Sequence, residues 1–322
     1  MSGPLTPWIL FLIAVAALLA IDLGVLGRRA EPMSTKKALL WSGVWITLGL
    51  SFALAVWAWR GPVAAQEYLA GYVIEESLSI DNLFVFLLVF GSLGVALRQQ
   101  RKVLFWGICG AIVMRGLFIF AGVAVLERFA WVMYLFGALL VFTAVKLLRS
   151  HGAQVDPERN PLVRLARRFF PVATGYGGNA FTVRRAGVRM LTPLALALVA
   201  VESADLVFAV DSVPAVLAVS DDAFVVFTSN VAAILGLRSL YFALAGSLER
   251  FEYLSWGIAA VLGFVGAKML LADIVDIPIY LSLAVIVIAV GCSIIASLWL
   301  TRSRSRNLPA GRPGSRDEAG GA

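Results

Sequence analysis

Two short stretches carry acid side chains where the surrounding sequence would exclude them. Ile74-Glu75-Glu76-Ser77-Leu78-Ser79-Ile80-Asp81-Asn82 is one; Val201-Glu202-Ser203-Ala204-Asp205-Leu206-Val207-Phe208-Ala209-Val210-Asp211-Ser212-Val213-Pro214 is the other. Each lies inside an apolar run long enough to cross a bilayer. An acid at the centre of a membrane helix costs about 2.5–3.5 kcal/mol, so Glu75, Asp81, Glu202, Asp205 and Asp211 together would cost roughly 12–18 kcal/mol uncompensated. A cation held by oxygen ligands compensates them. The donors on offer are carboxylates, Asn82, Ser212 and backbone carbonyls, all oxygen. The sole histidine, His151, falls in a polar loop, and Cys109 and Cys292 lack metal-site spacing and read as buried small hydrophobes. Hard divalent ions such as Mn²⁺, Mg²⁺ or Ca²⁺ fit this set; Zn²⁺ and Cu⁺ fit poorly. Carboxylates crowded in low dielectric cannot all stay ionised, so an empty site holds protons that an arriving metal displaces. That is a physical basis for cation/proton exchange.

A competing reading gives the acids to the chain's own bases. Arg115, Lys146, Arg238 and Lys268 also lie inside apolar runs and would balance four acids into an inert core. Against it, these bases lie on other segments nearer one end, whereas the acids cluster. Glu76 is the acid best suited to such pairing, and Asn230 is better suited to bonding between helices than to an ion. Helical spacing sets Glu202 and Asp205 about 60° apart but Asp205 and Asp211 about 120° apart, so a straight helix cannot aim all three at one ion. Pro214 removes the bond to the Val210 carbonyl, which predicts a kink or unwinding between about 209 and 214. A broken helix facing an ion is a recurrent transporter device. The stretch around Asp81 has no proline; there Ser77, Ser79 and Asn82 are available to satisfy a looser backbone.

The elements that must position these acids are membrane helices. The 322 residues are 60% hydrophobic and 15% charged, with mean hydropathy +0.88, far from a soluble domain. This is an all-α polytopic membrane protein. Nine apolar segments are long enough to span, at about 5–27, 38–59, 69–93, 103–126, 130–148, 192–219, 223–247, 254–272 and 278–300. The first has no basic residue before it and reads as a retained helix, with Asp22 in a bland interfacial role. Basic residues in the connections fall twenty-one on one side and two, Arg60 and Arg128, on the other. The positive-inside rule then predicts a multi-pass protein of the cell inner (plasma) membrane with its N-terminus outside and C-terminus in the cytoplasm. The net charge of +7 follows from that bias and needs no nucleic-acid partner.

The third to fifth segments (about 69–148) and the sixth to eighth (about 192–272) look like copies of one unit. Leu126-Glu127-Arg128-Phe129 recurs as Leu248-Glu249-Arg250-Phe251 and Lys146 as Lys268, both at an offset of 122; Arg115 and Arg238 nearly match. The acids align at an offset of 130, Glu75 with Asp205 and Asp81 with Asp211. Three is an odd number, so contiguous copies cross the membrane in opposite senses, as an inverted repeat. The transmembrane domain is expected to cover 1–301, with a basic cytoplasmic loop at 149–191. In that loop Leu162, Leu165, Ala166, Phe169 and Phe170 oppose Arg164, Arg167 and Arg168, the pattern of a helix lying on an anionic leaflet. Residues 180–188 suit a short hairpin, and 302–322 reads as a disordered tail.

The strings around Glu75–Asn82 and Glu202–Ala215 resemble the two signatures of the TerC family of bacterial membrane proteins. So do Thr228-Ser229-Asn230-Val231-Ala232-Ala233-Ile234-Leu235-Gly236-Leu237-Arg238-Ser239-Leu240-Tyr241-Phe242 and Gly266-Ala267-Lys268-Met269. The likeness runs from about Trp8 to Leu300. It implies export of Mn²⁺, with Glu75, Asp81, Glu202, Asp205 and Asp211 as metal-site acids; Glu76 stands where the family often has Lys. The family is also named for tellurite resistance, yet an acidic cluster repels an oxyanion. The expected function is thus an ion exporter rather than an enzyme, with no cofactor, a divalent metal ion and counter-ion protons as partners, and the lipid bilayer around it. The alternatives are a Ca²⁺/H⁺ exchanger and a non-transporting scaffold that assists secreted or membrane proteins, including their metal loading.

Overall fold

The computed structural model describes residues 5–27, 34–149, 161–173, 180–185, 187–245, 254–275 and 277–306. Local chemistry starts its central helices. Helices α3 (Pro62–Ser92) and α7 (Pro193–Leu217) both open on proline, where the missing N–H has no helical partner to lose. Gly61, just before α3, sits at φ 90°, a conformation that glycine takes without strain. Thr192 caps α7, its hydroxyl accepting from the Ala195 N–H at 3.4 Å. Asp222 caps α8 (Ala223–Leu244), accepting from the N–H groups of Phe224 at 2.8 Å and Val225 at 3.3 Å.

The remaining elements are α1 (Thr6–Gly27), α2 (Thr35–Arg60), α4 (Leu97–Arg128), α5 (Val132–Arg149), the short α6 (Pro161–Phe169), the strands β1 (Thr182–Arg185) and β2 (Val188–Leu191), α9 (Leu254–Leu270) and α10 (Ile279–Arg306). Leaving α6 aside, the described helices overlap in position with the nine apolar segments of the sequence. By length and composition α2, α4, α5, α7, α8 and α10 are long and apolar enough to cross a membrane. α1 and α9 have shorter apolar stretches, and α3 carries Glu67, Glu75, Glu76 and Asp81. The hairpin forms as expected, pairing Thr182 with Leu191 around Gly187 at φ 80°. α10 continues to Arg306, past the expected start of the disordered tail, whose residues 307–322 lie outside the described set. His151 and the Leu248–Phe251 copy also lie outside it.

α8 is the axis of the bundle. Within its apolar window 83% is buried, against 17% for α10, and a helix apolar all round belongs at the centre. α2, α3 and α4 pack on it, while α7 packs between α3 and α4. Two expectations fail here. Cys292 is exposed on α10 and Cys109 only half-buried, because outward faces of these helices are themselves apolar: Ile288 is 63% and Ile295 68% exposed. Nor does α7 unwind before Pro214; it runs unbroken to Leu217. Pro214 lies in the last turn, where its own carbonyl still accepts from Ala218 at 3.0 Å, so the break costs a single bond.

The two triplets run in opposite directions. Ser220, just past the end of α7, donates to Glu67 near the start of α3 at 2.6 Å. Glu127, at the end of α4, lines one cavity with Asp222 at the start of α8. Tyr134, near the start of α5, donates to Asp273 just past the end of α9. Each helix of α3–α5 is therefore antiparallel to its counterpart in α7–α9. The α5–α9 contact also carries the offset seen in the sequence. A Cβ built on Gly263 meets Ala144 Cβ at 3.7 Å, and one on Gly266 meets Val141 Cγ2 at 2.9 Å. Adding 122 converts 141 into 263 and 144 into 266, so each contact becomes the other. Gly137 and Gly266 bring the two backbones together there; a Cβ on Gly266 would lie 2.8 Å from the Gly137 carbonyl oxygen.

Candidate functional site

Arg115 of α4 is fully buried, 0% exposed, and four helices meet on it. One terminal nitrogen, Nη1, forms a close ion pair with Glu75 Oε1 of α3 and donates to Asn230 Oδ1 of α8 at 3.1 Å and to Ser212 Oγ of α7 at 3.4 Å. The other, Nη2, pairs with Asp205 Oδ1 of α7 at 3.0 Å. The Asn230 amide donates to Glu75 Oε2 at 2.9 Å, and the Ser79 hydroxyl lies 3.4 Å from Glu75 Oε1. The guanidinium thus sits in a cage of oxygens from four residues. Two buried atoms of the cage are left over: among the described residues Arg115 Nε and Asp205 Oδ2 have no hydrogen-bond partner. An unpartnered carboxylate oxygen in a dry site is costly, and it is a natural place for a proton or a cation.

The other acids flank this cage. Glu202 is one turn back from Asp205 on α7 and lies against α4, where Gly110 makes room for it; a methyl at 110 would overlap its carboxylate. It lines an apolar cavity of ≈ 450 Å³ with Met114 of α4 and Leu165, Phe169 and Phe170 of the α6 region. On the other side, Asp211 accepts from the Thr143 hydroxyl of α5 at 2.9 Å. It shares a ≈ 190 Å³ cavity with Asn82, Thr143 and Lys146. Between Glu202 and Asp211 the helix rises by about 13 Å. Glu76 is bonded by the Tyr72 hydroxyl, one turn earlier on α3. Asp81 lies on α3 beside Asn82, and its side chain is outside the described set.

So the acids do not form one cage. Glu75 and Asp205 meet through Arg115, while Glu202 and Asp211 occupy neighbouring compartments. Among the described residues no three carboxylate, histidine or cysteine side chains are grouped so as to hold a metal ion. Arg115 instead does for Glu75 and Asp205 what the competing sequence reading proposed. The balance is nevertheless uneven. Among the described side chains α3 and α7 carry Glu75, Glu76, Glu202, Asp205 and Asp211 in this layer, and the bases facing them are Arg115 and Lys146. Of the two other intramembrane bases, Arg238 pairs with Asp22 of α1, and Lys268 donates to Ser282 of α10 at 3.1 Å.

Residues 60–305 match the Integral membrane protein TerC family. The chain belongs to the TerC family. It is 47% identical over 302 residues to the uncharacterized membrane protein STKORF319 of Myxococcus xanthus, covering 94% of this chain and 93% of that one. It is 43% identical over 302 residues to an Escherichia coli (strain K12) protein named "Putative membrane-bound redox modulator Alx", covering 91% and 94%. No solved structure matches.

Several contacts in this TerC protein have no signal in the sequence. Asp22, expected at an interface, is buried at 5% exposure and ion-paired to Arg238, which also donates to the Asp22 carbonyl at 2.9 Å. Nothing in the spacing of residues 216 positions apart signals that contact. Gly110 and Thr143, which seat Glu202 and Asp211, carry no signal of their own either. At the end opposite the basic connections, Arg60 pairs with Asp222, beside a cavity of ≈ 490 Å³ lined also by Trp8, Glu127 and Asp221.

Proposed function

We propose that this TerC protein exports divalent cations, Mn²⁺ foremost, in exchange for protons, through the acidic layer of Glu75, Asp81, Glu202, Asp205 and Asp211. One observation carries the reading: two buried carboxylates, Glu75 and Asp205, share the single guanidinium of Arg115, and among the described residues Asp205 Oδ2 has no hydrogen-bond partner. Surplus buried negative charge must be neutralised by something that comes and goes, and protons and metal ions are the two candidates that oxygen donors take. Glu75 and Asp205 form the central pair, with the oxygens of Asn230 and Ser212 beside them. Glu202 and Asp211 are stations on either side along α7. Two carboxylates balance one divalent ion in charge, and an all-oxygen set suits Mn²⁺ better than Zn²⁺. Membrane orientation with the basic connections in the cytoplasm belongs to the same reading.

Everted membrane vesicles test it. Mn²⁺ should accumulate when the lumen is acidic, stop when the gradient is dissipated, and fail with Asp205→Asn at wild-type expression. Accumulation no greater than in vesicles lacking the protein would sink the transport reading and leave the scaffold. Preference for Ca²⁺ over Mn²⁺ in competition would move the assignment to a Ca²⁺/H⁺ exchanger.

A further inference from the structure

The central cage already holds a cation, its own. We infer that Arg115 is a tethered competitor: its guanidinium fills the divalent-ion site in the resting state, and a metal ion binds there by displacing it. This rests on the transport reading above and concerns how that same site is kept closed. The oxygens that would ligate a metal, from Glu75, Asp205, Asn230 and Ser212, are the ones that now accept from Arg115. A guanidinium and a metal ion cannot share them. The tenancy is also incomplete, since Arg115 Nε and Asp205 Oδ2 are buried without a partner among the described residues. A guanidinium carries one positive charge against two carboxylates, whereas a divalent ion matches both, so exchange improves the local balance. Helical side chains lean toward their helix N-terminus, which for Arg115 is the direction of Gly110, where Glu202 stands against α4. Glu202 lies on that path and would receive the displaced charge. The arrangement selects for charge, because a monovalent ion gains nothing over the arginine already present.

A merely structural arginine and a competing one predict opposite signs. Mn²⁺ binding to the purified full-length protein in lipid nanodiscs would be measured by titration calorimetry. Under the competitor reading R115Q binds Mn²⁺ roughly tenfold or more tighter than wild type, the size of an ordinary coupling between two ligands. R115A leaves a guanidinium-sized space, so millimolar guanidinium chloride should weaken Mn²⁺ binding to R115A and not to wild type. R115K, which keeps the charge, should stay near wild-type affinity. Should R115Q and R115A fail to insert, wild-type protein still answers: Mn²⁺ must shift guanidinium infrared bands, and R115K must lack that shift. R115Q binding no tighter than wild type, or infrared bands unmoved by bound Mn²⁺, overturns the competitor while leaving the site. Loss of the site itself would look different: wild-type and every Arg115 variant alike would bind no Mn²⁺.

Discussion

Arg115 and Arg238 occupy nearly matching places in the two triplets, on α4 and α8, yet their surroundings differ in one respect. Arg238 has a single carboxylate, Asp22, which it engages through both the side chain and the backbone carbonyl. Arg115 has two, Glu75 and Asp205, joined by Asn230 and Ser212. The Arg238 pair sets one base against one acid, although Asp22 Oδ1 is also without a hydrogen-bond partner among the described residues. The other carries surplus negative charge and two unpartnered atoms. The contrast is one of charge: one acid to one arginine at Arg238, two acids to one arginine at Arg115.

The neutral pair should show the largest effect on stability. Arg238→Ala strands Asp22 in the interior, at a cost of about 3–5 kcal/mol, seen as a lowered thermal unfolding midpoint. Combining Asp22→Asn with Arg238→Gln should recover most of that loss and keep manganese efflux. If the double variant folds but no longer transports, the Asp22 pair belongs to the working site and the contrast collapses. The surplus pair should behave the other way. Asp205→Asn leaves Arg115 with Glu75 alone and makes this region resemble its counterpart. We expect stability near wild type but Mn²⁺ affinity lowered by about thirtyfold or more, taking a lost charge partner at about 2 kcal/mol or above. Asp211→Asn should likewise insert normally and fail to protect cells from excess manganese.

Smaller effects sharpen the picture. Gly110→Ala forces Glu202 from its seat at about 1–3 kcal/mol; it should slow efflux without removing Mn²⁺ binding, which a vesicle flux assay set beside calorimetry would separate. Arg316→Ala, in the C-terminal tail, should change neither stability nor manganese sensitivity, and any effect there would point to non-specific damage in the other variants.

How much of this was legible in the sequence depends on the range of the interaction. The helices were, because apolar runs of spanning length are local features of the sequence. α3 shows the limit: hydropathy alone opened it near 69, but Pro62 starts it earlier and brings Glu67 to its first turns. The opposed directions of the triplets followed from an odd number of spans. The acids of α3 and α7 stood out because the bilayer makes them costly. Their partners did not stand out. Arg115 reaches carboxylates 40 and 90 positions away, and whether a buried base balances an acid or outbids its ligand is decided by three-dimensional packing. Pro214 misled in the other direction: a residue that breaks helices in mid-length is tolerated in a final turn.

Asp22 lies on α1, outside both triplets. That placement has a consequence for how such a molecule differs from a pair of identical subunits meeting on a two-fold axis. In a symmetric pair every side chain near the axis appears twice, so two arginines would face the same carboxylates and quench them. A single chain is free of that duplication. By recruiting a helix that belongs to neither half, it draws one arginine aside to Asp22 and leaves the other with Glu75 and Asp205, so the two halves need not carry the same charge.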